Sequence, residues 1–377
     1  MIYLDSAATS YHKPAAVRHA VLRALTTMTS PGRGGYPSAM EAADTLYACR
    51  CALGDLFGVE DPANVVFTSS ATHGLNIALK TLVGPGDRVV ISGFEHNAVT
   101  RPLRAIGAET VVAASPLFDP DAAVEAYRRA LPGAKAAVCC HVSNVFGYVL
   151  PVERIAALCR EEGVPLVIDA AQSAGVLPLD MRELGAAFTA MPGHKGLLGP
   201  QGTGVLLCAS DAVLPLLEGG TGSLGESEEM PEFLPDRLEA GTHNVPGIAG
   251  LLAGVSWLQR QEPGAVRTHE TALRHRLANA LRGRRDLRLF EAEEDACQTG
   301  VLSVVTDGLD GEEAARQLGE AGIAVRAGLH CAPLAHRSAG TFDTGTLRLS
   351  VSPFTTEREI DAAAARLIEI LERSARK

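Results

Sequence analysis

From about residue 60 to 210, short uninterrupted apolar runs alternate with segments whose apolar positions repeat at helical spacing. The runs at 64–68, 88–92, 109–113, 136–142, 165–169 and 204–208 predict strands. They lack the in–out alternation of a half-exposed sheet, so both sheet faces are expected to lie under helices. Between them, PVERIAALCREE at 151–162 has a proline at its start and Gly163 just past its end, the asymmetry of a helix. The alternation predicts an α/β domain with a mainly parallel sheet.

The pattern changes near residue 250. A helix rich in arginine and alanine is expected over roughly 265–283, then a strand at 301–306, a helix at 311–320 and a strand at 323–326. A loop around Cys331, a strand at 346–351 and a terminal helix at 357–373 follow. This is an α+β pattern. The stretch 218–242 is glycine-rich, acidic and aperiodic, which suits an active-site loop. The expected division is a large unit at 15–249 and a smaller unit built from 1–14 and 250–377.

Composition narrows the function classes. With 34 Lys and Arg against 44 Asp and Glu, the net charge of −10 argues against a globally basic nucleic-acid binder. No run approaches the ~20 apolar residues of a membrane span. The opening MIYLDSAATSYHKP has no basic stretch leading into an apolar run. A cytoplasmic enzyme with a small-molecule substrate, and no nucleic-acid or membrane partner, is the expectation. The eight cysteines include no CxxC and no zinc-finger spacing, so neither a disulfide scaffold nor a metal site is expected. Seven read as small packing residues, while Cys331 stands apart in the loop sequence GLHCAP. Glycine reaches 38 of 377 residues, clustered in PGRGG, GHKGLLGPQGTG and EGGTGSLG. Such clusters suit backbone packed closely against a ligand.

Candidate chemistry gathers where strands are expected to end, the side of a parallel sheet at which ligands bind. Lys195 sits in the glycine-dense turn GHKG, where desolvation would free its amine, although the turn alone also fits a solvated lysine. Asp169 closes VPLVID and either pairs with a protonated ring nitrogen or caps the next turn. SSATHG follows NVVF, and its hydroxyls at a helix start suit an anion. His96 follows RVVIS, placed to stack on a planar ring or to serve as a structural histidine, and Asn144 lies in HVSNVFG. Lysine, carboxylate, stackable histidine and anion-binding helix start together describe a pyridoxal phosphate site.

On SSATHGLN, EHNA, HVSNVFG, VIDAAQS, GHKGLLGPQG, EAGTHN, VRAGLHCAP and LRLSVSPF, the chain resembles the class V, fold-type I pyridoxal-phosphate enzymes. Within them it is similar to the cysteine desulfurases and selenocysteine lyases, over nearly its whole length. The resemblance implies a large domain with a mainly parallel seven-stranded sheet and a smaller α+β domain carrying a catalytic cysteine loop. It further implies that Lys195 forms the Schiff base and moves protons, Asp169 keeps the pyridine nitrogen protonated and His96 stacks on the ring. Asn144 and Gln172 would serve the substrate carboxylate and ring hydroxyl. Ala71 through its N–H, Thr72 and His194 would hold the phosphate, with Thr242 reaching the neighbouring subunit of a homodimer. Arg348 would bind the substrate carboxylate, Cys331 would accept sulfur and Arg326 would shape its loop, while Arg326 or His330 would help ionise its thiol.

The implied activity is conversion of L-cysteine to L-alanine with a persulfide left on Cys331, from which an acceptor protein could take the sulfur. Selenocysteine lyase, another β-eliminating lyase, and a pyridoxal-phosphate-binding sulfur carrier or regulator without turnover are the alternatives. A Cys–His hydrolase leaves Lys195 and Asp169 unexplained. Four positions depart from the family pattern: Pro192 and Ala71 stand where phosphate-binding hydroxyls are usual, Tyr36 where a histidine is usual, and Ser6 where asparagine is usual. Ser69, Ser70 or a partner residue are the expected substitutes for the missing hydroxyls.

Overall fold

The computed structural model describes residues 1–32 and 34–375. Seven strands form the large sheet in the order Val65–Thr68, Gly204–Cys208, Phe188–Pro192, Leu166–Asp169, Ala136–Cys140, Arg88–Ser92 and Glu109–Ala113. Only Gly204–Cys208 runs antiparallel to its neighbours. Five of the six strands expected from the apolar runs lie within one residue of their places, and the run at 136–142 stops at Cys140. The seventh, Phe188–Pro192, is fully buried but ends in the proline of the PGHKG turn, which hid it in the sequence. Helices cover both faces. One apolar cluster includes Ala137, Cys139, Ile168 and Val205, the other Val138, Val167, Ala190 and Leu206, so alternate residues of the same strands feed opposite cores.

The smaller unit is a four-stranded antiparallel sheet, Arg326–Gly328, Thr346–Ser350, Val301–Thr306 and Leu287–Phe290, packed against Ala265–Leu281 and Glu357–Ser374. Leu287–Phe290 has only two buried residues and escaped the sequence pattern. The segment expected as one strand at 323–326 is split. Ile323–Ala324 pairs in parallel with Ile2–Tyr3, and Arg326 begins the next strand. The N-terminal arm therefore belongs physically with the C-terminal residues. At the expected division after residue 249, the helix Val245–Gln259 runs on unbroken, with Val245, Ile248, Leu251 and Val255 in the large core. The stretch 218–242 is irregular apart from a short 3-10 turn, Asp236–Leu238.

Glycine does specific work where the antiparallel strand meets the helix start at Ala71. A Cβ on Gly204 would lie 2.7 Å from the backbone carbon of Ser70, which no side-chain rotation relieves. Gly204→Ala is therefore expected to destabilise the fold by about 1–3 kcal/mol, with Ser70 displaced; equilibrium urea unfolding checks this, and an unchanged midpoint would contradict it.

Candidate active site

A cavity of about 110 Å³ opens at the carboxyl ends of the central strands. Leu166–Asp169 delivers Asp169, Phe188–Pro192 leads into His194 and Lys195, Arg88–Ser92 into His96, and Ala136–Cys140 into Asn144. Ser70, Ala71 and Thr72, at the start of the helix Ala71–Leu82, close one end of the cavity. Ser70 Oγ caps that helix by accepting from His73 N at 3.2 Å, leaving the first turn's other amides for an anion. Ser70 lines this cavity, whereas Ser69 lies in the wider groove outside. Pro192 and Ala71 line it too, so both hydroxyl-lacking positions face the site.

Burial sets the protonation states. Desolvation raises Asp169 above the ordinary carboxylate range, against the opposing pull of the Ala171 N–H, 2.9 Å from Oδ1, and of the Lys195 charge. A buried carboxylate with one backbone partner suits a cationic ring nitrogen. Burial draws the Lys195 amine down to about 8; Asp169 opposes this, while Arg348 and Arg326 reinforce it. At pH 7 about a tenth of the amine is thus unprotonated and nucleophilic, far more than for an ordinary lysine. His96 is lowered to about 4 by burial, then by Lys195 and nearby arginines. Its Nδ1 accepts from Ala98 N at 3.0 Å and caps the helix Asn97–Ile106, which fixes a neutral ring at the cavity wall. His194, lowered to about 4 by burial, contacts Thr9 Oγ1 through Nδ1 at 2.9 Å. The amide of Gln172 donates to Ala7 O at 3.0 Å, so the N-terminal arm braces both residues. A flat heteroaromatic ring carrying a reactive carbonyl and a phosphate fits this set: helix start for the phosphate, Asp169 for the ring nitrogen, His96 for the ring face, Lys195 for the carbonyl.

Cys331, Arg326, Arg348 and Thr242 do not line this cavity. Cys331 is exposed and, with His330, adopts the left-handed backbone conformation, φ 56° and 48° respectively. Two consecutive side-chain-bearing residues there are strained and must be held. The His330 carbonyl accepts from Asn144 Nδ2 at 2.8 Å, and the Cys331 carbonyl accepts from Asn97 N at 2.8 Å. Asn144 and the neighbour of His96 thus clamp the cysteine turn to the cavity rim. His330 does not act as a cation for the thiol. Its ring is buried, lowered to about 3, and turned toward the Thr346 carbonyl at 3.1 Å.

Arg348, only 1% exposed, stands behind Asn144, donating to its carbonyl at 2.8 Å and to Asp5 Oδ1 at 2.7 Å. Arg326 lies opposite Arg348 in the strand register and is exposed. Thr242 sits in a separate groove of about 550 Å³ that shares Ser70 and Thr72 with the small cavity. Tyr36 lies outside the cavity and is exposed.

Sequence reasoning missed Asp5, Asn97, Thr9 and the buried Glu95, whose Oε1 accepts from Ser92 Oγ at 2.6 Å and Cys140 N at 2.7 Å. The opening LDSAAT carried a signal for Asp5 and Thr9, and EHNA one for Glu95 and Asn97, but neither string announces a backbone clamp. Removing the Asn144 amide should release the cysteine turn. With one hydrogen bond of about 1 kcal/mol lost, Asn144→Ala is expected to raise the rate of Cys331 alkylation by iodoacetamide about fivefold in substrate-free protein. Peptide mass spectrometry reads this, and an unchanged rate would contradict the clamp.

Known proteins are similar to this chain in sequence and fold. The family model for aminotransferase class-V matches residues 2–363. A probable cysteine desulfurase of Methanothermobacter thermautotrophicus is 31% identical, the match covering 98% of this chain and 94% of that protein. The cysteine desulfurase CsdA of Escherichia coli is 30% identical, with the same 98% and 94% coverage. Among solved structures, the apo cysteine desulfurase of Thermococcus onnurineus superposes with a TM-score of 0.90 at 28% identity, covering 98% of this chain and 94% of that one. From its seven-stranded sheet to its lysine-bearing turn, the chain belongs to the aminotransferase class-V family.

Proposed function

We propose that the protein is a pyridoxal-phosphate-dependent cysteine desulfurase, converting L-cysteine to L-alanine and retaining the sulfur as a persulfide on Cys331. The observation that carries this reading is the clamp. Asn144 lines the cavity holding Lys195 and Asp169, and the same side chain grips the carbonyl next to Cys331. The turn that carries an exposed thiol is thereby tied to a side chain of the cavity that holds a buried amine. The cysteine desulfurases similar to the chain over 98% of its length support the same reading.

When bound, pyridoxal phosphate supplies a carbonyl that condenses with amines and a ring that withdraws electrons from the substrate's α-carbon. The rest falls to this chain. The helix start at Ala71, with Thr72 and His194, would bind the phosphate; Asp169 would hold a proton on the ring nitrogen; and neutral His96 would cover the ring face. Lys195 Nζ, lining the cavity, would be the base for the α-proton. Asn144 and Gln172 would orient the substrate carboxylate, with Arg348 behind Asn144 holding its backbone carbonyl. The Cys331 thiolate attacks the substrate sulfur, so an S–S bond forms as the Cβ–S bond breaks and Cβ gains a proton. One L-cysteine and one thiol yield one L-alanine and one persulfide, with no external oxidant or reductant. The persulfide, on an exposed turn, is open to an acceptor protein.

Two copies of the chain meeting across the groove at Thr242 would bring that hydroxyl to the partner's phosphate site, as in a homodimer with shared sites. Exposed Leu22, Leu25, Met40 and Tyr47 on the first two helices offer apolar surface for such contact. All eight cysteines are free, as a reducing compartment such as the cytoplasm maintains. Among the described residues no helix is long and apolar enough to cross a membrane.

Protein reconstituted with pyridoxal phosphate and given L-cysteine with a thiol reductant is expected to form alanine and sulfide in equal amounts. Lys195→Ala should lose the yellow colour of the bound cofactor and all alanine formation. Cys331→Ala should keep the colour and lose at least about 100-fold in alanine formation, in line with the removal of a nucleophile. Undiminished sulfide release by Cys331→Ala would contradict the persulfide step.

A further inference from the structure

A second cavity, of about 50 Å³, lies on the other side of Lys195 and Gln172, which line both. Its far wall is made by the smaller unit: Glu270 from the helix Ala265–Leu281, Gly300, and Ser350, Val351 and Ser352 at and just past the end of the strand Thr346–Ser350. Glu270 is 7% exposed, and its carboxyl group has no hydrogen-bond partner among the described residues. Gly300 leaves room for it, since a Cβ there would fall 2.7 Å from that of Glu270 and 3.2 Å from Oε2. Ser6 Oγ, also lining this cavity, is buried without a partner as well.

A buried carboxyl group without a partner costs several kcal/mol, and two orphaned polar groups facing one small space point to water between them. The space admits more than one water, each of which needs about 10–15 Å³. Lys195 and Glu270 are the only ionisable groups lining it among the described residues. Neighbours on the Glu270 helix are engaged elsewhere: His269 Nε2 with Thr355 O at 2.9 Å, and Arg274 with Asp295 at 2.7 Å and Gln298 at 2.9 Å.

We propose that this cavity is a water-filled proton compartment through which Glu270 exchanges a proton with Lys195, making Glu270 a positioning residue for the lysine's proton traffic. The exchange balances as one proton leaving the Lys195 ammonium, crossing a water, and neutralising the Glu270 carboxylate, or the reverse. Burial raises Glu270 to about 8 and lowers Lys195 to about 8, so both groups change charge over the same pH range. The pairing serves a lysine that must accept the α-proton and later return one while the cofactor side is sealed by substrate. This inference rests on Lys195 being the reactive amine of the proposed function.

The test uses cofactor-stripped protein, so it needs no turnover. The rate of Lys195 modification by trinitrobenzenesulfonate, followed by peptide mass spectrometry from pH 6 to 10, gives the lysine's apparent pKa. As pH rises, the carboxylate formed on Glu270 retains the proton on Lys195. In Glu270→Gln that support is absent, and the apparent pKa is expected to fall by about 0.5–1 unit, the low end for a neighbouring carboxylate. Glu270→Leu, which also displaces water, should shift it in the same direction. In cofactor-loaded Glu270→Gln, kcat for alanine should fall with KM held, and its pH profile should lose one ionisation. Identical lysine profiles in wild type and both variants, whatever their thermal stabilities, would overturn the proposal. A shifted lysine profile in a protein that forms no alanine would support the relay and refute the desulfurase reading alone.

Discussion

Arg348 ties together three parts of the chain that are far apart in sequence. Its guanidinium, almost wholly withdrawn from water, reaches the Asp5 carboxylate of the N-terminal arm on one side and the Asn144 carbonyl of the large domain on the other. A buried charge is tolerable only with such partners, and removing one of them leaves the other uncompensated, at about 3–5 kcal/mol. The Asp5–Arg348 pair therefore fixes where the arm lies. The arm in turn places Thr9 on His194 and Ala7 on Gln172. Through Asn144 the same guanidinium backs the clamp on the cysteine turn. Cofactor site, nucleophile turn and smaller unit thus share one electrostatic keystone.

Desolvation does most of the remaining work. Inside the cleft it lowers the amine and both imidazoles and raises the carboxyls, with neighbouring charges as adjustments. Glu95 is fully buried and raised to about 7 by burial, with Asp169 adding to the effect. Because its folded pKa lies above the ordinary 4.5, it favours the fold while neutral and progressively ceases to as pH rises through about 7. Lys195 works in the opposite sense: lowered from 10.5 to about 8, it penalises the fold below that pH and less so above it. The folded chain carries both strains where the reaction is proposed to occur.

Much of this was legible in the sequence, for physical reasons. Strands buried on both faces must be continuously apolar, so most of the large sheet could be read directly, and residues at strand ends could be assigned to one rim. Asp169, His96, Asn144, His194 and Lys195 do meet there. What escaped detection depends on contacts between distant residues. Asp5 and Arg348 are 343 positions apart and no local pattern links them. Glu270 reads as a surface charge on an arginine-rich helix, yet packs against Gly300 in the interior. Phe188–Pro192 merged with its glycine turn, and His330 looked like a cation for the thiol until its ring proved to be buried.

The proposed activity depends on sulfur passing to Cys331. A single turnover of the cofactor-loaded wild-type protein with less than one equivalent of L-cysteine and no reductant, quenched and analysed by intact and peptide mass spectrometry, observes that transfer directly. One added sulfur on the Cys331 peptide for each alanine formed is the predicted result. Alanine or pyruvate formed with free sulfide and an unmodified Cys331 would contradict it.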